Sequence, residues 1–199
     1  MGALRGSHSA QRGGTTSGLG AARPPCIAFS ARIRGWRRPD DSHTETPLHW
    51  AASSDDVAVL DVLLDAGANI DAPGAVLGGG GPLADACGFG NWACAKRLVE
   101  RGARTRLKDE AALGMLDRVE AAFLDPVRAP TAEEITQALW SACHGGAYAC
   151  AEYLLQRGAD LNWIGWDGMT PLDVAERDAP TVLVDWLRTN GGRRAEELT

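Results

Sequence analysis

The residues best equipped for chemistry are thiols and one imidazole. Cys143 and His144 stand side by side with Cys150 just beyond, and Cys87 and Cys94 form a second group. Thiolate and imidazole are zinc ligands, and close thiols can also carry redox chemistry. A tetrahedral zinc site, however, wants four ligands, commonly two to four residues apart within each pair. Neither group offers that. The remaining candidates are thinner still. Asp85 and Asp173 are single carboxylates without a second acid at a catalytic pairing, and no serine has a His and Asp companion by motif. "GGGG" at 78–81 lacks the Lys-Ser/Thr that turns a glycine loop into a phosphate loop. No metal, cofactor or catalytic residue is expected.

What positions these residues is a repeat. "TPLHWAA" at 46 aligns with "GPLADAC" at 81, "QALWSAC" at 137 and "TPLDVAE" at 170. Twenty-one residues after each start comes a glycine: Gly67, Gly102, Gly158 and Gly191. A worn copy, "TRLKDEAALGMLDRVEAAF", begins at Thr105, which sets the intervals at 35, 24, 32 and 33 residues. In this register Cys87 and Cys143 take the place of Ala52, while Cys94 and Cys150 take that of Val59. All four are small core positions, where free cysteine behaves as a buried hydrophobe.

The physics of one unit accounts for its spelling. Thr46 can cap a helix through its hydroxyl, an interaction worth about 1 kcal/mol. Pro47 at the first helical position gives up an N–H that had no partner there. Ala51 and Ala52 are small so that a paired helix can approach. Val59, Leu60, Leu63 and Leu64 then recur at helical spacing. Gly67 stops that second helix by adopting the left-handed conformation without a Cβ penalty, and "ANIDAPG" turns out as a finger. Between Gly102 and Thr105 only two residues remain, so no finger fits there and the array is expected to pinch. Each unit leans on its neighbours, and one continuous apolar seam is expected to join Leu63, Leu154 and Leu187. Arg188, where Leu64 and Leu155 stand earlier, and the "GGRRAEELT" that follows read as a C-terminal cap.

The unit resembles the ankyrin repeat, about 33 residues of two helices and a turn with a Thr-Pro-Leu-His signature. The resemblance covers roughly residues 43–191, and its wording is similar to ankyrin proteins of high-GC bacteria. It implies an all-α ankyrin-repeat solenoid of about four recognisable helix-turn-helix repeats plus one degenerate repeat, with fingers and first helices on the concave side. His49 resembles the signature histidine that ties neighbouring turns together. The function implied is non-catalytic binding of a protein partner of unknown identity. Contacts are then expected just before the capping residue and just after the paired alanines, at His43, Glu45, Ser53, Ser54, Phe89, His144, Trp166, Asp167, Met169, Arg177 and Asp178. Rival readings are an accessory domain with a small-molecule, metal or thiol-redox site using Cys143 and Cys150, and a truncated remnant of a longer array.

Charge divides the chain. Residues 1–39 hold seven arginines and no acid, leaving thirteen basic against twenty-six acidic residues in 40–199. So acidic a body argues against nucleic acid, whose phosphates are bound mainly by Lys and Arg. No apolar run reaches the length of a membrane span. An odd cysteine count, with four of the five among alanines, suits free thiols in the cytoplasm, and the chain is expected to be a monomer. Residues 1–41 read as a disordered Arg/Gly-rich tail, 42–191 as the repeat domain and 192–199 as a C-terminal tail. The abrupt change at Asp40 further suggests that an upstream repeat is missing.

Seven tryptophans are many for 199 residues. Trp92 opens a second helix and is expected in the core, as is Trp186. Trp50 is expected to pack, whereas Trp163 and Trp166 sit in the finger "NWIGWDG". Binding and finger-against-finger packing weigh equally for Trp166, since aromatics anchor interfaces.

Overall fold

A computed structural model describes residues 45–76, 80–125 and 127–198. The expected tail over 1–41, and His43, lie outside the described residues. Among those described there are ten α-helices and no strand. They form five antiparallel pairs: α1 (Pro47–Ser53) with α2 (Val57–Asp65), α3 (Pro82–Phe89) with α4 (Trp92–Glu100), α5 (Leu107–Ala112) with α6 (Leu116–Leu124), α7 (Ala132–His144) with α8 (Tyr148–Gln156), and α9 (Pro171–Asp178) with α10 (Thr181–Thr189). The odd-numbered helices stack as one row and the even-numbered ones back it as a second. The fold is an all-helical solenoid.

The first pair shows how sequence makes a unit. Thr46 is extended and Pro47 starts α1. Asp55, with φ of 52°, reverses the chain, and Asp56 caps α2 by accepting the Val59 N–H at 3.0 Å. Leu60 and Leu63 point into the core, where burying such a side chain stabilises by roughly 1.5–3 kcal/mol. Gly67 ends the helix at φ of 84°. One detail differs from expectation. The Thr46 hydroxyl does not cap a backbone N–H; it lies 2.9 Å from His49 Nδ1, which also accepts the Thr46 N–H at 3.0 Å. Imidazole here does the work that Glu134 does for Thr131 and Asp173 for Thr170, whose hydroxyls accept the backbone N–H groups of those residues at 3.2 Å.

Two helix starts depart from the aligned register. In the copy aligned at Thr105 the helix begins one residue late, with Arg106 as its cap. In the copy aligned at Gln137 it begins at Ala132, capped by Thr131, and runs for 13 residues. The capping box Thr131–Glu134 is a stronger start signal than the worn signature at 137. The end of α7 is equally constrained. A Cβ on Gly145 would collide with the carbonyl of Ala112, so glycine there lets α5 and α7 meet.

The expected single seam is not what forms. Leu63 belongs to a core with Leu48, Leu60, Leu83, Cys94 and Leu98, while Leu154 and Leu187 belong to another with Val119, Leu139, Cys143, Leu172 and Leu183. The break falls between α3 and α5. No finger bridges that joint, α4 and α6 scarcely touch, and α5 presents Lys108 and Asp109 to α3 beside Ala112, with Leu113 just past its end packed on the first core. Charged groups cannot continue an apolar seam without a large desolvation cost.

The last unit is closed by the residues after α10. Ala195 N–H donates to Asp173 Oδ2 at 2.9 Å, and the Thr170 hydroxyl donates to the Arg193 carbonyl at 2.8 Å. Glu176 takes Arg194 at 2.8 Å and Arg188 at 2.6 Å. Asp173 is therefore a structural acceptor.

Candidate functional site

The residues expected to contact a partner fall at the two ends of the inner-row helices. Glu45, Asp167 and Met169 precede a first helix, whereas Ser53, Ser54, Phe89, His144, Arg177 and Asp178 sit at or just past the ends of α1, α3, α7 and α9. A helix of eight residues separates its ends by about 12 Å, so these are two parallel rows. Ser54, Phe89, Arg177 and Asp178 are exposed; Ser53 is half-buried, its hydroxyl donating to the His49 carbonyl at 2.8 Å. His43 and the side chain of Trp166 lie outside the described residues.

One place brings the rows together. The finger after α8 folds back over α7, where the Trp140 indole N–H donates to the Met169 carbonyl at 2.9 Å. The same carbonyl accepts the Gly165 N–H at 2.9 Å. The tip is a tight turn, with Asp167 in the left-handed region at φ of 64°, uncommon for a residue with a side chain. Asp167 thereby reaches the mouth of a pocket that also contains His144. Ala84, Cys87 and Gly88 of α3, Lys108, Asp109 and Ala112 of α5, and Trp140 and Ser141 of α7 complete its wall. The empty volume is about 520 Å³ including the mouth.

His144 is the polar centre of this pocket. Its ring is flanked by Trp92 at 5.2 Å and Trp140 at 5.5 Å between centroids. Its Nε2 is buried without a hydrogen-bond partner among the described residues. Burial, and secondarily Arg177, hold the imidazole below its ordinary pKa, so it is neutral at pH 7. Burial also lowers Lys108, helped by the neighbouring Arg106 guanidinium. Asp109 is buried and held by Arg106 at 3.1 Å. A neutral ring thus stands between two indoles, beside a lysine and with a carboxylate at the mouth. The pocket holds no aligned nucleophile and base.

A second, wider groove lies where a finger is missing. Arg106, Glu110, Arg128, Glu134 and Gln137 line it, and its empty volume is about 1360 Å³. It is open because α4 passes to α5 in a short turn while α7 extends past its neighbours.

The thiols are structural. Cys87, Cys94, Cys143 and Cys150 are all buried and free. Desolvation raises each, Cys94 to about 12 and Cys150 to about 11. Among the described residues no three His, Cys, Asp or Glu side chains come together as a metal site. No described helix is long and apolar enough to cross a membrane.

Tryptophan placement is mixed. Trp92 and Trp186 are half-buried against the two cores, Trp186 meeting Tyr148 at 5.3 Å. Trp50, expected to pack, is 46% exposed. Sequence reasoning missed Lys108, Trp140 and Ser141 as pocket residues. The legible signal was "LKDE", a charged run in a first helix whose finger is absent.

Comparison with known proteins adds one positive finding. The ankyrin repeat family model matches residues 43–75 and 137–165. No curated protein matches the chain.

Proposed function

The chain carries ankyrin repeats, which in general mediate protein–protein interaction, and on that premise we propose that it is a non-catalytic scaffold. It binds its protein partner along the concave side, through Glu45, Ser53, Ser54, Phe89, His144, Asp167, Met169, Arg177 and Asp178, and His43 and Trp166 complete the proposed contact set. The observation that carries this reading is the pocket shared by His144 and Asp167, where the two expected contact rows meet. Phe89, 49% exposed at the end of α3, is the apolar anchor beside it, and exposed aromatics are favoured as interface hot spots.

A capture experiment with the full chain tests the proposal. A partner retained by the native chain should be lost with Trp166→Ala, Asp167→Ala and with Phe89→Ala, yet retained with Glu152→Ala on the outer row. Loss only with Glu152→Ala would refute the concave assignment. The metal or thiol-redox alternative requires tight stoichiometric metal or fast-reacting Cys143 and Cys150; the raised pKa values of the buried thiols speak against it.

A further inference from the structure

The position four residues past each unit start holds Trp50, Asp85, Asp109, Ser141 and Val174. Its polar groups are engaged, with one exception. The Trp50 indole donates to Glu45 at 3.1 Å, Asp85 accepts the Val76 N–H at 2.9 Å, and Asp109 is held by Arg106 at 3.1 Å. Ser141 is only 8% exposed, yet among the described residues its hydroxyl has no hydrogen-bond partner. A serine within a helix can return its hydroxyl to the carbonyl one turn back, as Ser53 does to His49 at 2.8 Å. Ser141 does not. It lines the pocket shared by His144 and Asp167, and its oxygen is not sealed from that space. A hydroxyl so placed costs free energy unless something entering the pocket satisfies it.

A missing imidazole makes the hollow. Ala84 takes the place in the second unit that the fully buried His49 takes in the first. Ala112 adds a second buried methyl group, so this part of the lining is small and apolar. Another part is flat. Trp140 and His144, one turn apart on α7, lie 5.5 Å apart between centroids with their planes inclined by 34°. Lys108 of α5 stands at the same pocket.

These features together select a side chain. An aliphatic or phenyl group would drive water from Ser141 and return no hydrogen bond. An indole suits the flat wall, but its N–H only donates, and Lys108 is a donor as well. A phenol brings a ring for Trp140 and His144. Its oxygen both accepts and donates, so it can pair with the Ser141 hydroxyl in either sense.

We propose that this pocket is a socket for a tyrosine side chain of the protein partner, with the ring on Trp140 and His144 and the phenol oxygen at Ser141 Oγ. The proposal rests on the reading of the concave side as a protein-binding surface and names the group that the partner inserts there.

The test titrates the full-length chain with blocked Gly-Tyr-Gly and Gly-Phe-Gly tripeptides and with p-cresol. The Trp140 indole N–H, fixed by the Met169 carbonyl, supplies an NMR resonance beside the socket. Gly-Tyr-Gly should shift it to saturation and bind about fivefold to tenfold more tightly than Gly-Phe-Gly, the share of one added hydrogen bond. Ser141→Ala removes an oxygen that bonds to nothing in the fold, so the melting midpoint should hold while the preference disappears. Equal affinities for the two tripeptides in the native chain, or a preference that survives Ser141→Ala, would overturn the assignment. Binding of p-cresol without either tripeptide would overturn docking in favour of a free phenol. No shift with any probe would remove the socket while leaving the scaffold reading to the Phe89→Ala and Glu152→Ala capture, which does not involve Ser141.

Discussion

The Trp140 indole donates to the carbonyl of Met169 at 2.9 Å, and through this bond a residue of α7 fixes the finger that follows α8. Trp140→Phe keeps a ring in place and deletes the donor. The Met169 carbonyl retains its bond from Gly165, so the stability loss should be about 0.5–1.5 kcal/mol. Denaturant unfolding measures it. If Asp167 contacts the partner as proposed, affinity should fall by more than this stability change.

Two cores meeting at a polar joint should unfold as two units. Leu98→Ala and Leu154→Ala each remove a fully buried side chain and should cost about 2–5 kcal/mol. The first should lower a transition belonging to α1–α4 and the second one belonging to α5–α10, with additive effects. A single transition shifted equally by both substitutions would show that the joint couples the halves strongly.

Acidification should expose the cost of the buried imidazoles. His49 and His144 are both lowered by burial in the folded protein, while an unfolded His titrates near about 6.5. Below that value the unfolded chain takes up protons that the folded one refuses. Their contribution to stability is therefore complete above the unfolded pKa and is lost as pH falls toward the folded pKa. The drop in stability from pH 7.5 to 5.5 should be smaller in His144→Gln than in the native chain. An equal drop in both would remove His144 as a cause.

Thiol reactivity should report unfolding. With Cys87, Cys94, Cys143 and Cys150 buried and raised, labelling of these four at pH 8 should be slow in the folded chain and fast in denaturant. Rapid native labelling of Cys143 or Cys150 would revive the redox alternative.

Gly145→Ala should damage the α5–α7 contact more than any exposed glycine substitution. The added methyl would meet the Ala112 carbonyl, and such overpacking costs about 1–3 kcal/mol. Gly158→Ala differs in kind, meeting nothing nearby but straining a φ of 89°. Thermal melts of the two variants separate collision from backbone strain.

The repeat itself was legible because its residues act locally. Pro47 and Pro171 mark first helical positions, while Gly67, Gly102, Gly158 and Gly191 all adopt the left-handed conformation that their place after a helix demands. The buried roles of Cys87 and Cys143 followed from alignment with Ala52, whereas Val59, the counterpart of the buried Cys94 and Cys150, was expected in the core and is 46% exposed. Local backbone chemistry is written in neighbouring residues and needs no partner to be read.

Contacts between units were a different matter. That Leu63 and Leu154 lie in separate cores depended on Lys108 and Asp109 facing α3 across a joint with no finger. That α7 starts at Ala132 depended on Thr131 and Glu134 outcompeting the worn signature at 137. That His144 is half-buried between Trp92 and Trp140 depended on three helices converging. By itself, then, the sequence determined the unit, its period and its small core positions, since each rests on interactions a few residues apart. Only the tertiary structure decided where the seam breaks, which pocket opens and which tryptophans meet water, because burial is a property of the surfaces that come together.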